Sequence, residues 1–206
     1  MKPVTYPEEV LQLRIEIAKI EPPAFRVVQL ENTRTFHLLH EIIQWSFEWK
    51  DYHLFEFRIG ATKVIEPGPE YPEHVRPRHP RTTRLGDLVS NDVSRFTYIY
   101  DFGDGWVHDI KVERRLPLDP AVRYPICLAG ARAGPPEDCG GPRGFEDFLN
   151  AWSDAFHPEH RELRRWAGKH YDPERFDLAV INRVLTTFRA KTKKRSRNRP
   201  GPMFSP

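Results

Sequence analysis

The chain has 206 residues, 12% of them aromatic, which suffices for one sizeable core and falls short of two full domains. It contains no run of about 18 apolar residues, and its first residues, M-K-P-V-T-Y-P-E-E, carry no apolar segment of a secretory signal; a cytoplasmic protein with no membrane partner is therefore expected. The net charge of +3 conceals an asymmetry: the seven cations of the last 18 residues leave 25 basic against 29 acidic side chains in the body, a net of −4.

Leu11, Leu13, Ile15 and Ile17 alternate with Gln12, Arg14 and Glu16, which predicts a half-buried strand over 10–19. Glu21-Pro22-Pro23-Ala24 interrupts it, and Phe25 to Leu30 resumes a β-prone run expected to pair with the first, antiparallel. From Thr35 the period becomes helical, with Phe36, Leu39, Ile43 and Phe47 on one stripe and Thr35 as N-cap. His37 and His40 lie three apart on this helix, a spacing that also suits two solvated side chains. After a turn at Lys50-Asp51 a strand is expected with His53, Phe55 and Phe57 on one face, His53 reading first as a core or rim histidine.

Prolines and arginines dominate 67–84, which reads as a loop inside one domain, because core-like patterning continues on both sides. Thr83 to Val89 suits a short helix. The stretch from Tyr98 to Glu113, Y-I-Y-D-F-G-D-G-W-V-H-D-I-K-V-E, predicts a hairpin with Trp106 and His108 facing the core. Gly103 and Gly105 would supply left-handed backbone angles there, and Asp101 and Asp104 would cap the turn. The glycines and prolines that follow Cys127 exclude regular structure up to the helix expected near Pro142. That helix carries the stripe Phe145, Phe148, Leu149 and Trp152; a second begins near Pro158; a third follows Asp172-Pro173, with Asp177 a rival cap. The tail from Ala190 shows no apolar periodicity and is expected to be disordered in isolation.

Y-D-F-G-D-G-W-V-H-D-I at 100–110 and P-P-E-D-C-G-G at 135–141 resemble the plasmid ORF-three-like proteins of the pRiA type, also described as insertion-element passenger proteins and sometimes given a resolvase-like name. Further agreement lies in Pro22 to Arg26, in the segment from Leu39 to Phe57, and in D-P-E-R-F-D-L and N-R-V-L between Asp172 and Leu185. The resemblance spans about residues 10–188, without the loop from Pro67 to Arg81, and implies one α+β domain, a mainly antiparallel, roll-like sheet packed by helices; the domain is expected over 1–188, and the basic tail over 189–206 lies outside the resemblance. Members often carry a cysteine directly before the P-P-E-D run, where this chain has Gly134, so a metal site using that cysteine would be altered here.

Asp101-Phe102-Gly103 has the letters of a kinase magnesium motif, but neither a glycine-rich ATP loop nor an H-R-D loop accompanies it. No histidine has arginine three residues on, and the first serine is Ser46, which removes both recombinase chemistries. Two functions remain. The first is a non-enzymatic, mobile-element or plasmid-associated accessory module that contacts nucleic acid or a protein partner. Its nucleic-acid contacts would be Arg189, Lys191, Lys193, Lys194, Arg195, Arg197 and Arg199, through counterion release. The second is a metal-assisted hydrolase. Its candidate catalytic residues are Asp101, Asp104, His108, Glu137 and Asp138, with His53, and its candidate ligands are His108, Cys127, Cys139 and Asp138. No organic cofactor is expected; a divalent metal is the one candidate. The alternative for Pro135 to Gly141 is a rigid turn that caps the following helix.

Overall fold

The computed structural model describes residues 8–66 and 77–197, with side chains described through Phe188. Seven strands, β1 (Glu9–Ile17), β2 (Phe25–Glu31), β3 (Phe55–Ile59), β4 (Thr62–Val64), β5 (Arg95–Tyr100), β6 (Trp106–Pro117) and β7 (Ile126–Ala131), form one sheet in the order β4-β3-β5-β6-β1-β2-β7. Every neighbouring pair of strands is antiparallel. Four helices, α1 (Phe36–Ser46), α2 (Gly141–Ser153), α3 (His160–Ala167) and α4 (Leu178–Arg197), complete an α+β fold.

The period-two pattern of β1 does what it predicts: Leu11, Leu13, Ile15 and Ile17 are buried, while Gln12, Arg14 and Glu16 are partly exposed. The inward residues meet Phe36, Leu39 and Ile43 of α1, Phe145 and Phe148 of α2, and Ile181 and Leu185 of α4 in a single core. Thr35 caps α1, its side chain accepting from Leu38 N. The short helix expected near 83–89 is a 3-10 turn at Leu85–Asp87.

Arg26 has its charge inside this fold. Its Nε donates to Ser46 O at 2.7 Å and its Nη1 to Phe25 O and Ala131 O at 2.8 and 2.9 Å, between the rings of Phe47 and Phe176. Burial pushes the guanidinium pKa down to about 10, which leaves it charged at neutral pH. One side chain thus ties β2, the end of α1 and β7 together.

Three expectations need correction. Ile126–Ala131 is a strand, pairing Cys127 with Val28 and Ala131 with Phe25, although its glycine argued against one. Gly130 is needed because Phe176 packs on it: a Cβ there would meet the ring at 2.4 Å. The last helix is capped by Asp177, whose Oδ1 accepts from Val180 N at 2.9 Å, whereas Asp172 closes a local turn onto Glu174 N. Its backbone stays helical to Arg197, past the start of the expected disorder at Ala190; alanine, lysine and arginine favour helix and neither glycine nor proline intervenes. Of the basic segment, Arg199 lies outside the described residues, as do residues 67–76 of the proline-rich loop. The remainder of that loop is anchored, Arg78 pairing with Lys63 and Ile65 through backbone hydrogen bonds. No described helix is long and apolar enough to cross a membrane.

Replacing Arg26 by Ala leaves three carbonyl oxygens without their donor and opens a cavity. The expected loss is about 3 kcal/mol of stability in urea unfolding, against about 0–1 for the partly exposed Arg14→Ala.

Candidate metal centre

The hairpin β5–β6 pairs Tyr98 with His108 and Tyr100 with Trp106, and its turn projects Asp101 to Gly105. Asp101 and Gly105 take left-handed angles, φ +53° and +68°. Gly103 does not: Asp101 occupies the second left-handed position that the sequence assigned to a glycine, and it is held there by hydrogen bonds. Its N–H donates to Leu54 O at 2.9 Å, its carbonyl accepts from Gly105 N at 2.6 Å, and its Oδ1 accepts from Gly103 N at 2.9 Å.

The other carboxylate oxygen of Asp101 is turned outward. Oδ2 lies 3.7 Å from His53 Nε2, and the same nitrogen lies 3.0 Å from Asp138 Oδ1. Neither approach has the alignment of a hydrogen bond, and His53 Nε2 is buried without a hydrogen-bond partner. One ligand atom from each of His53, Asp101 and Asp138 lies within 4.8 Å of the other two. Two ligands bonded at about 2.1 Å to one ion, at angles of 90° to 109°, stand about 3.0 to 3.4 Å apart; the His53–Asp138 approach of 3.0 Å falls on this scale and the His53–Asp101 approach of 3.7 Å is longer. One imidazole and two carboxylates suit a borderline or hard divalent cation, and three protein ligands leave coordination positions for water or substrate.

His53 does not sit on the inner face of β3, as expected; it precedes the strand in a bend, edge-on to Tyr100, with a 30% exposed side chain. Asp138 has φ +58° in the loop before α2. That loop is fastened at several points. Trp49 Nε1 donates to Pro135 O at 2.8 Å, Glu137 Oε1 accepts from Lys50 N at 2.8 Å and from the Tyr100 hydroxyl at 3.1 Å, and Asp104 Oδ2 accepts from Gly140 N at 3.1 Å. Glu137 and Asp104, both read as catalytic candidates, are therefore held in anchoring hydrogen bonds. Burial, then the Glu137 charge, pushes the Tyr100 hydroxyl well above its ordinary pKa, which keeps it a donor. From the sequence, Trp49 and Lys50 mark only a turn within a segment that resembles the family, and Tyr100 only the alternation of the hairpin strand.

The remaining candidates are not brought into the cluster. His108 is fully buried among Phe47, Trp49 and Tyr98, its Nδ1 donating to Trp106 O at 3.1 Å. Burial holds its pKa down to about 3, so it is a neutral core histidine. Cys127 and Cys139 are both free thiols. Burial raises the pKa of each, that of Cys139 to about 12 with help from the Asp104 charge, so neither offers a ready thiolate. His37 and His40 part company: His40 lies in the core between the Tyr98 hydroxyl and Asp51, whereas His37 faces Arg81.

Beside the centre, on the Asp138 side, opens a cleft of about 460 Å³ walled by Tyr52, Pro136, Trp166 and Tyr171.

Residues 9–180 match the family described as "Plasmid pRiA4b ORF-3-like protein". The chain belongs to this family. It is 32% identical over 194 residues to the uncharacterized protein y4hQ of Sinorhizobium fredii (strain NBRC 101917 / NGR234), covering 92% of this chain and 97% of that one. The crystal structure of MM3350, a protein of unknown function from Methanosarcina mazei Go1, is similar with a TM-score of 0.75 and 35% identity, over 84% of this chain and 97% of that one. Where pRiA4b ORF-3-like members were expected to carry a cysteine, Gly134 stands against Phe47: a Cβ would lie 2.4 Å from its carbonyl oxygen. A side chain at 134 requires the backbone to shift, so the centre described here does not use that position.

The folded-state pKa of His108 is depressed, so the stability it contributes is present above its unfolded value, about 6.5, and declines as the pH falls toward 3. His108→Phe is expected to flatten the stability profile between pH 6.5 and 4.5 by about 2–3 kcal/mol, read as the pH dependence of urea midpoints.

Proposed function

We propose that this chain binds a divalent cation through His53, Asp101 and Asp138 and uses it to activate water in a hydrolytic reaction. The observation that carries the reading is the convergence of three donors of metal-binding type from three loops, beside a cleft large enough for a small molecule. The split use of Asp101 supports it: one oxygen fixes the turn and the other is left toward His53. A bound cation would neutralise the two facing carboxylates and give His53 Nε2 the partner it lacks, while lowering the pKa of a coordinated water.

Titration calorimetry of the full chain with Mn²⁺ or Zn²⁺ is the test, with one site per chain expected. Asp138→Asn and His53→Ala should each weaken binding by about 10- to 100-fold or more, and should leave circular dichroism and the urea midpoint of the metal-free chain nearly unchanged. Metal binding that is absent from the wild-type chain, or untouched by both substitutions, defeats the proposal.

A second reading, a nucleic-acid-contacting accessory module, is favoured by the segment R-A-K-T-K-K-R-S-R-N-R, seven cations with no acid, and by the helical backbone that continues to Arg197. Truncation after Phe188 is expected to remove salt-dependent DNA or RNA binding and to flatten the slope of log K against log salt by about 0.7–0.9 per lost phosphate contact. Equal affinity and slope in the truncated chain would refute it.

A further inference from the structure

We infer that the cleft beside the centre takes a phosphate ester bearing a flat ring, a nucleotide being its biological form. This deepens the hydrolytic reading above and rests on it. The inference comes from which charges of the cleft are already engaged. Glu48 takes Arg175 on both oxygens, Glu137 accepts from Lys50 N and the Tyr100 hydroxyl, and Asp172 accepts from Glu174 N, while Asp138 is one of the three proposed donors.

The cations are not all matched. Lys50 and Lys169 both line the cleft, and neither ammonium group has a carboxylate partner among the described residues. The Lys50 Nζ is placed 5.6 Å over the Tyr52 ring, which leaves its hydrogen-bonding capacity open. Two ammonium groups without a carboxylate partner among the described residues therefore stand in the cleft, next to three residues that would hold a dication. Phosphate oxygens are the ligand that both features recognise: ammonium groups bind them as point charges, and a divalent ion bridges them.

The walls supply the second half of the specificity. Tyr52 and Trp166 line the same cleft with 67% and 48% of their surface exposed, and large aromatic faces left in solvent beside unpaired cations are the usual platform for a nucleobase. The reaction balances without an added oxidant or reductant. A water oxygen attacks phosphorus, the bond from phosphorus to the ester oxygen breaks, and one proton of the water passes to the departing alkoxide. The products are the alcohol and inorganic phosphate. Lys50 and Lys169 would hold the phosphate oxygens; the ring would lie against Tyr52 or Trp166.

The probe is adenosine 5′-monophosphate, titrated into the full chain with Mn²⁺ and separately with chelator, followed by the fluorescence of the cleft tryptophans, with phosphate release measured in parallel. Saturable quenching is expected. Adenosine and ribose 5-phosphate, lacking the charge or the ring, are each expected to bind about tenfold more weakly or worse. The double variant Lys50→Gln, Lys169→Gln should lose about tenfold in affinity for the monophosphate while keeping its affinity for Mn²⁺, since neither lysine touches the proposed ligands. Manganese binding without monophosphate binding overturns this inference alone, as does monophosphate affinity indifferent to the double substitution or equal to that of adenosine. Absence of manganese binding overturns the hydrolytic reading and this one together, and the chelator arm then shows whether the cleft holds the nucleotide without a metal.

Discussion

At two places in the 133–141 segment the backbone comes so close to other loops that only a glycine fits. A Cβ at Gly134 would sit 2.4 Å from Phe47 O, and one at Gly141 would sit 2.3 Å from Asp104 O. These contacts clamp the segment between the end of α1 and the β5–β6 turn, and the hydrogen bonds from Trp49, Lys50 and Tyr100 follow from that placement. The position of Asp138 depends on the clamp. A larger residue at either glycine would displace the loop before it could reach the histidine.

Two of the candidate ligands are also strained. Asp101 and Asp138 both hold left-handed backbone angles, a conformation that costs a residue with a Cβ on the order of 1 kcal/mol and survives where the surroundings over-determine it. At Asp101 the turn provides that over-determination through three hydrogen bonds. Two carboxylates are brought toward one imidazole nitrogen that neither of them satisfies as a hydrogen-bond acceptor.

Much of the architecture was legible in the sequence because it rests on periodicity. The alternation in β1, the helical stripe after Thr35 and the hairpin around Asp101 to Gly105 are local patterns, and each was found where the pattern placed it. What escaped was decided by contacts distant in sequence. Gly130 sits in a strand because Phe176 needs the space, and His53 leaves the apolar face because the chain bends before β3 rather than within it. Of the residues weighed for chemistry, Asp101, Asp138 and His53 come together. Asp104 and Glu137 serve as anchors, His108 fills the core, and the two thiols lie elsewhere. No spacing rule distinguishes these cases, because ligands supplied by three separate loops have no common sequence interval.

That discontinuity bears on how the protein is made. His53, Asp101 and Asp138 become neighbours only after β3 has paired with β5 and the chain has crossed from β6 to β7, paired with β2 at the other edge of the sheet, and returned to the β5–β6 turn. Local segments of the unfolded chain hold at most one of the three donors, so a cation finds no multidentate site until the long-range pairings exist. Any ion that binds there would recognise the finished topology rather than help to nucleate it, and would act as a late lock on the native state, slowing its unfolding more than it speeds its formation.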